Sequence, residues 1–82
     1  MRTFDRMRPT DELVNDVRRL RRAADLTQEQ LAERVGVTRQ TILSIEKGKY
    51  TPSVALALQL ASALQVRVED LFRLERRGAR DE

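Results

Sequence analysis

The sequence predicts an all-α domain built from five short helices, and three observations carry that prediction. Residues 27–46, T-Q-E-Q-L-A-E-R-V-G-V-T-R-Q-T-I-L-S-I-E, read at helical spacing as two helices joined by a tight turn. Residues 54–64 are apolar on almost every side, the pattern of a helix buried in the middle of a domain. The composition, 40% hydrophobic and 35% charged with one tyrosine and two phenylalanines, suits a single compact bundle within 82 residues.

Taken in order, residues 1–9 hold Arg2, Arg6 and Arg8 against Asp5 with no periodicity, and read as a flexible basic arm. Helix one is expected over 11–24. Thr10 stands as its N-cap, Asp11 and Glu12 lie in the first turn where the helix dipole favours acids, and Leu13, Val14, Val17, Leu20 and Ala24 form its apolar stripe. Arg18, Arg19 and Arg22 fall off that stripe and are expected to be solvated. Thr27 caps helix two, with Gln30 completing a capping box, and Leu31, Ala32 and Val35 share its inner face. Gly36 ends the helix because the sharp turn calls for positive φ. Thr38 caps helix three, whose Ile42 and Ile45 point back toward helix two, leaving Arg39, Gln40, Leu43 and Ser44 on the other side. Arg, Gln and Ser at the start of an outward helix face are residue types that read base edges in a major groove, so the pair forms a helix-turn-helix.

Gly48 terminates helix three, Pro52 bars helical continuation, and Ser53 caps helix four. Helix five is expected from Val68 to Leu74, with fraying toward Arg77. The domain then occupies 10–74, and 75–82 form a charged tail. No internal repeat or low-complexity segment interrupts it.

The chain has no cysteine and no histidine, so a disulfide framework, a thiolate metal site and the commonest general base are all missing. The acids Glu29, Glu33, Glu69, Asp70 and Glu75 lie on charge-rich faces with no histidine, cysteine or glycine-rich phosphate loop to accompany them. We therefore expect no enzyme activity, no cofactor and no metal. The formal net charge of +3 favours a nucleic acid or an acidic surface as partner. No apolar run reaches transmembrane length, and a cytoplasmic, nucleoid-associated location is expected.

The apolar positions Leu31, Val35, Val37, Ile42 and Ile45, with Ala32 and Gly36 between them, resemble the phage-repressor (Cro/XRE-type) helix-turn-helix family. The stretch T-R-Q-T-I-L-S-I-E-K-G-K-Y-T-P-S is similar to its short stand-alone prokaryotic group, and the resemblance runs from Val17 to Phe72. It implies a lambda-repressor-like bundle and a transcriptional regulator that binds double-stranded DNA, acting as a homodimeric repressor on a palindromic operator.

Carried over by position, the resemblance makes Arg39, Gln40 and Ser44 base readers and Gln28, Thr38, Thr41, Lys47, Lys49 and Tyr50 phosphate contacts. It pairs Arg21 with Glu46 as a structural ion pair, while the dimer surface is expected on Val68, Phe72 and Leu74. Relatives often carry glutamine where Arg39 stands, so a guanine preference is expected there instead. Asp25 and Gln65 occupy places where relatives carry glycine, and Arg67 stands where Ser or Thr would cap helix five. Helix four is expected to fill the apolar volume, leaving no small-molecule site, and no sensor domain is expected after Phe72. The competing reading is an antitoxin or protein–protein adaptor on the same fold.

Overall fold

The computed structural model describes residues 11–76, with side chains over 12–75. The basic arm, Thr10 and the end of the charged tail lie outside these residues. The elements are β1 (Asp11–Asn15), α1 (Val17–Ala23), α2 (Gln28–Val35), α3 (Arg39–Glu46), α4 (Val54–Leu64), α5 (Val68–Leu71) and β2 (Phe72–Arg76). All five expected helices are present. Two of them are shorter than predicted, because the residues at their outer ends form strands.

Helix one starts at Val17 rather than residue 11, and helix five stops at Leu71 rather than Leu74. The residues released pair as an antiparallel two-stranded ribbon, with Leu13 opposite Leu74 and Asn15 opposite Phe72. Leu13 and Val14 fit a helical stripe as well as a strand, and short apolar runs do not discriminate between the two. The decision is made by tertiary pairing: backbone N–H of Asp16 donates to the carbonyl of Leu71 at 2.8 Å, extending the ribbon onto the core. Asn15 then breaks the strand with an Asx-type turn, its Oδ1 accepting from the N–H of Val17 at 3.1 Å.

The core is formed by Val17, Leu26, Leu31, Ala32, Val35, Ile42, Ile45, Leu56, Leu60, Ala61, Leu64 and Leu71. Helix α4 supplies four of these, but it is not covered on every side: Val54 is 77% exposed and Leu58 53% exposed. Its uniform apolarity concealed which side has neighbours. The side carrying Leu56, Leu60 and Leu64 packs inward and the one carrying Val54 and Leu58 meets solvent.

Four helices end alike. After α1, α2, α3 and α4 the chain turns at positive φ on Asp25 (59°), Gly36 (74°), Gly48 (75°) and Gln65 (58°). At each, the N–H of the turning residue and that of the residue after it close onto the last turn; Gly48 donates to Ile45 at 2.9 Å and Lys49 to Ser44 at 2.9 Å. At the start of α5, Arg67 offers no side-chain acceptor. The carboxylate of Asp70 takes the N–H of Arg67 instead, at 3.0 Å.

An L side chain in the left-handed region costs roughly 1 kcal/mol that glycine avoids. Gln65 is exposed and its side chain makes no hydrogen bond in the described residues. Gln65→Gly is therefore expected to raise stability by up to about 1 kcal/mol, read as a higher urea midpoint with an unchanged slope. A lower midpoint would contradict the strain assigned to this turn.

Candidate nucleic-acid interface

The geometry of α3 follows from how α2 is held. The Thr27 hydroxyl accepts from the N–H of Gln30 at 3.0 Å, and Gln30 Oε1 accepts from the N–H of Thr27 at 2.8 Å. Both orphan donors are thereby satisfied and the first turn is closed. After Gly36, Thr38 caps α3 by accepting the N–H of Thr41 at 3.2 Å, and the two threonine hydroxyls lie 3.1 Å apart. Ile42 and Ile45 are then fully buried against α2 and the core. The opposite face of α3 necessarily carries Gln40, Leu43, Ser44 and Lys47, one turn to the next.

On that face Gln40, Thr41 and Ser44 line a shallow hollow of about 240 Å³ together with Tyr50, which is 47% exposed. Arg39 is the exposed first residue of α3, and Lys47 and Lys49 are exposed beyond its end. Gln28, at the start of α2, does not simply face solvent. Its Nε2 donates to Glu46 Oε1 at 3.0 Å.

That carboxylate is the centre of a buried network. Arg21 Nε donates to Glu46 Oε2 at 2.6 Å and Nη2 to Oε1 at 3.2 Å, while Nη1 donates to the carbonyl of Leu26 at 2.8 Å. The Arg21 and Glu46 side chains are only 10% and 4% exposed. One ion pair thus fixes the last residue of α3 to α1, and Gln28 adds α2 to the same point. Asn15, unmarked in the sequence, contributes from the ribbon: its Nδ2 donates to the carbonyl of Ile45 at 3.0 Å. An asparagine ending a strand carries no local signal that it will reach a helix thirty residues away.

The residues expected at a dimer surface divide. Val68 and Phe72 are partly buried against the core. Leu74 is 50% exposed, and across the ribbon it faces Leu13, which is 43% exposed and was assigned by sequence to the stripe of helix one.

Comparison with known proteins agrees with this geometry. Residues 17–71 match the helix-turn-helix family designated HTH_3. An uncharacterised HTH-type transcriptional regulator of Methanothermobacter thermautotrophicus is 54% identical over 65 residues, covering 78% of this chain and 94% of that protein. The uncharacterised HTH-type transcriptional regulator YgzD of Bacillus subtilis is 51% identical over 63 residues, covering 77% and 96%. Among solved structures, the restriction-modification controller protein C.AhdI of Aeromonas hydrophila superposes with a TM-score of 0.63 at 35% identity, covering 66% of this chain and 78% of that one.

Removing one partner of a buried ion pair strands the other charge, at a cost of ~3–5 kcal/mol. Glu46→Ala is expected to destabilise by about that amount in chemical unfolding. The double replacement Arg21→Met/Glu46→Leu should recover most of the loss. A single variant as stable as wild type would show that the pair does not hold α3.

Proposed function

This chain belongs to the helix-turn-helix family of transcriptional regulators, and we propose that it acts as a homodimeric repressor reading a palindromic operator through the major groove. The observation that carries the reading is the outward face of α3. Ile42 and Ile45 lock one side of the helix into the core, so the side chains of Gln40 and Ser44, which make no hydrogen bond among the described residues, face outward with Arg39. Arg39 pairs with guanine O6 and N7, and Gln40 with adenine N6 and N7, each in a bidentate contact; Ser44 adds one hydrogen bond a turn further on.

Phosphates flank these contacts. Lys47, Lys49 and Tyr50 meet the backbone beyond the end of α3, and the hydroxyls of Thr38 and Thr41 meet it at the start. Gln28 gives one of its amide N–H bonds to Glu46 and keeps the second for a phosphate, next to the N-terminal amides of α2. Its orientation is set before DNA arrives.

A single module spans too few base pairs for tight binding, and two-fold pairing places two reading helices about 34 Å apart on successive turns. Leu74 provides the exposed apolar anchor of the pairing surface, with Val68 and Phe72 behind it. A regulator of this kind acts on chromosomal DNA, and the location we propose for it is the nucleoid of a prokaryotic cytoplasm.

Two experiments test this. Selection of bound duplexes from a random pool, with wild type beside Arg39→Ala/Gln40→Ala, is expected to enrich a palindrome that the variant does not select, each lost bidentate contact costing ~1–3 kcal/mol. Weak binding without preference by both proteins would turn the search toward a protein partner. Sedimentation of Leu74→Glu is expected to give a monomer where wild type gives a dimer at tens of micromolar; a wild-type monomer at every concentration ends the dimer reading.

A further inference from the structure

The four arginines of α1 are not equivalent. Arg21 is committed to Glu46, and Arg19 donates to Asp16 at 3.1 Å. Asp16 also receives Arg73 at 3.1 Å, and its carboxyl is held below its ordinary value, first by the hydrogen bond from Arg19. Arg18 and Arg22, one turn apart, have no acid partner or hydrogen-bond acceptor among the described residues. Like charges at this spacing repel each other by a few tenths of a kcal/mol.

Both line a groove between α1 and the end of α3. One part of it, of about 260 Å³, is shared with Gln28, Leu43, Glu46 and Lys47. The adjoining part, of about 520 Å³, is again bordered by Arg18, Arg22 and Glu46, together with Asn15 and the Asp16–Arg19 pair, whose acid is already met by Arg19 and Arg73. Glu46 contributes little field there, because Arg21 neutralises it at 2.6 Å. Arg18, Arg22 and Lys47 are therefore three uncompensated cations along one groove, and that groove opens beside Leu43 on the outward face of α3.

We infer that Arg18 and Arg22 form a seat for DNA backbone phosphate, extending the interface from α3 across the surface of α1. This rests on the DNA-binding reading above and adds a contact that the sequence left as solvated surface. A phosphate in the groove relieves the repulsion between the two guanidiniums and is reached by Lys47 from the far wall. Planar guanidiniums suit phosphate oxygens in paired hydrogen bonds. The seat positions the duplex and reads no base.

The test is a salt series on the intact protein, titrated by anisotropy against the duplex enriched by wild type, with a random-sequence duplex of equal length alongside. Each phosphate contact contributes about 0.9 to the slope of log affinity against log salt. Arg18→Gln/Arg22→Gln is expected to flatten that slope by about 0.9, the share of one neutralised phosphate, while preferring the same sequence. Arg18→Lys/Arg22→Lys should keep most of the slope, and Arg19→Gln, whose charge is already paired, should leave it unchanged. Thermal melts of each variant separate lost folding from lost contact. A double variant with the wild-type slope, or an equal flattening by Arg19→Gln, overturns the seat and leaves the operator reading standing. Failure of wild type to bind either duplex overturns both.

Discussion

The Arg21–Glu46 ion pair is the constraint to which the rest of the molecule is fitted. Charges at this depth lose their hydration, and only a full set of hydrogen bonds makes the position tolerable. The set is complete: three bonds leave the guanidinium and three arrive at the carboxylate, and no buried side-chain polar atom among the described residues lacks a partner. Such a pair adds modest net stability, but it penalises any arrangement in which its partners separate. Since α1, the loop at Leu26, the start of α2 and the end of α3 all meet there, the orientation of α3 is held against three segments of chain. Arg39 and Gln40 sit at the other end of that short helix, so their direction depends on a contact at its far end.

The ribbon reinforces the same point from outside. Asn15 joins β1 to the carbonyl of Ile45, next to Glu46, and Asp16 joins the start of α1 to Leu71. One polar side chain at the strand end, that of Asn15, therefore grips the last turn of α3. Apolar packing of Ile42 and Ile45 supplies the driving force for docking α3. The directional bonds decide the angle at which it docks.

How much of this could be read from residues alone follows from the range over which each signal acts. Thr27 with Gln30, Gly36, Thr38 and the spacing of Ile42 and Ile45 are all local, and together they define α2, the turn and α3. The strain at Asp25 and Gln65 is also local, and both take the left-handed turn expected of the glycine they replace. The ribbon was invisible because its evidence lies in the pairing of Leu13 with Leu74, far apart in the chain, and neither strand is long enough to announce itself by alternation. Leu58 misled for another reason: hydrophobicity records what a side chain tolerates, not whether the fold provides it with a neighbour. At the site, residue types indicated which groups could meet DNA, but not that Gln28 spends one N–H on Glu46, nor that Arg18 and Arg22 escape the pairing that engages Arg19 and Arg21.

Joining residues near both ends in one ribbon also imposes an order on assembly. β1 is among the first of the described residues to be synthesised and β2 the last, so β1 has no partner until the rest of the domain has been made. The capped helices α2 and α3, with contacts close in sequence, can dock while that strand still waits, since short loops close at low entropic cost. The outward face of α3 thus rests largely on contacts close in sequence, whereas the surface carrying Leu13 and Leu74 exists only once strands from both ends of the described residues have paired.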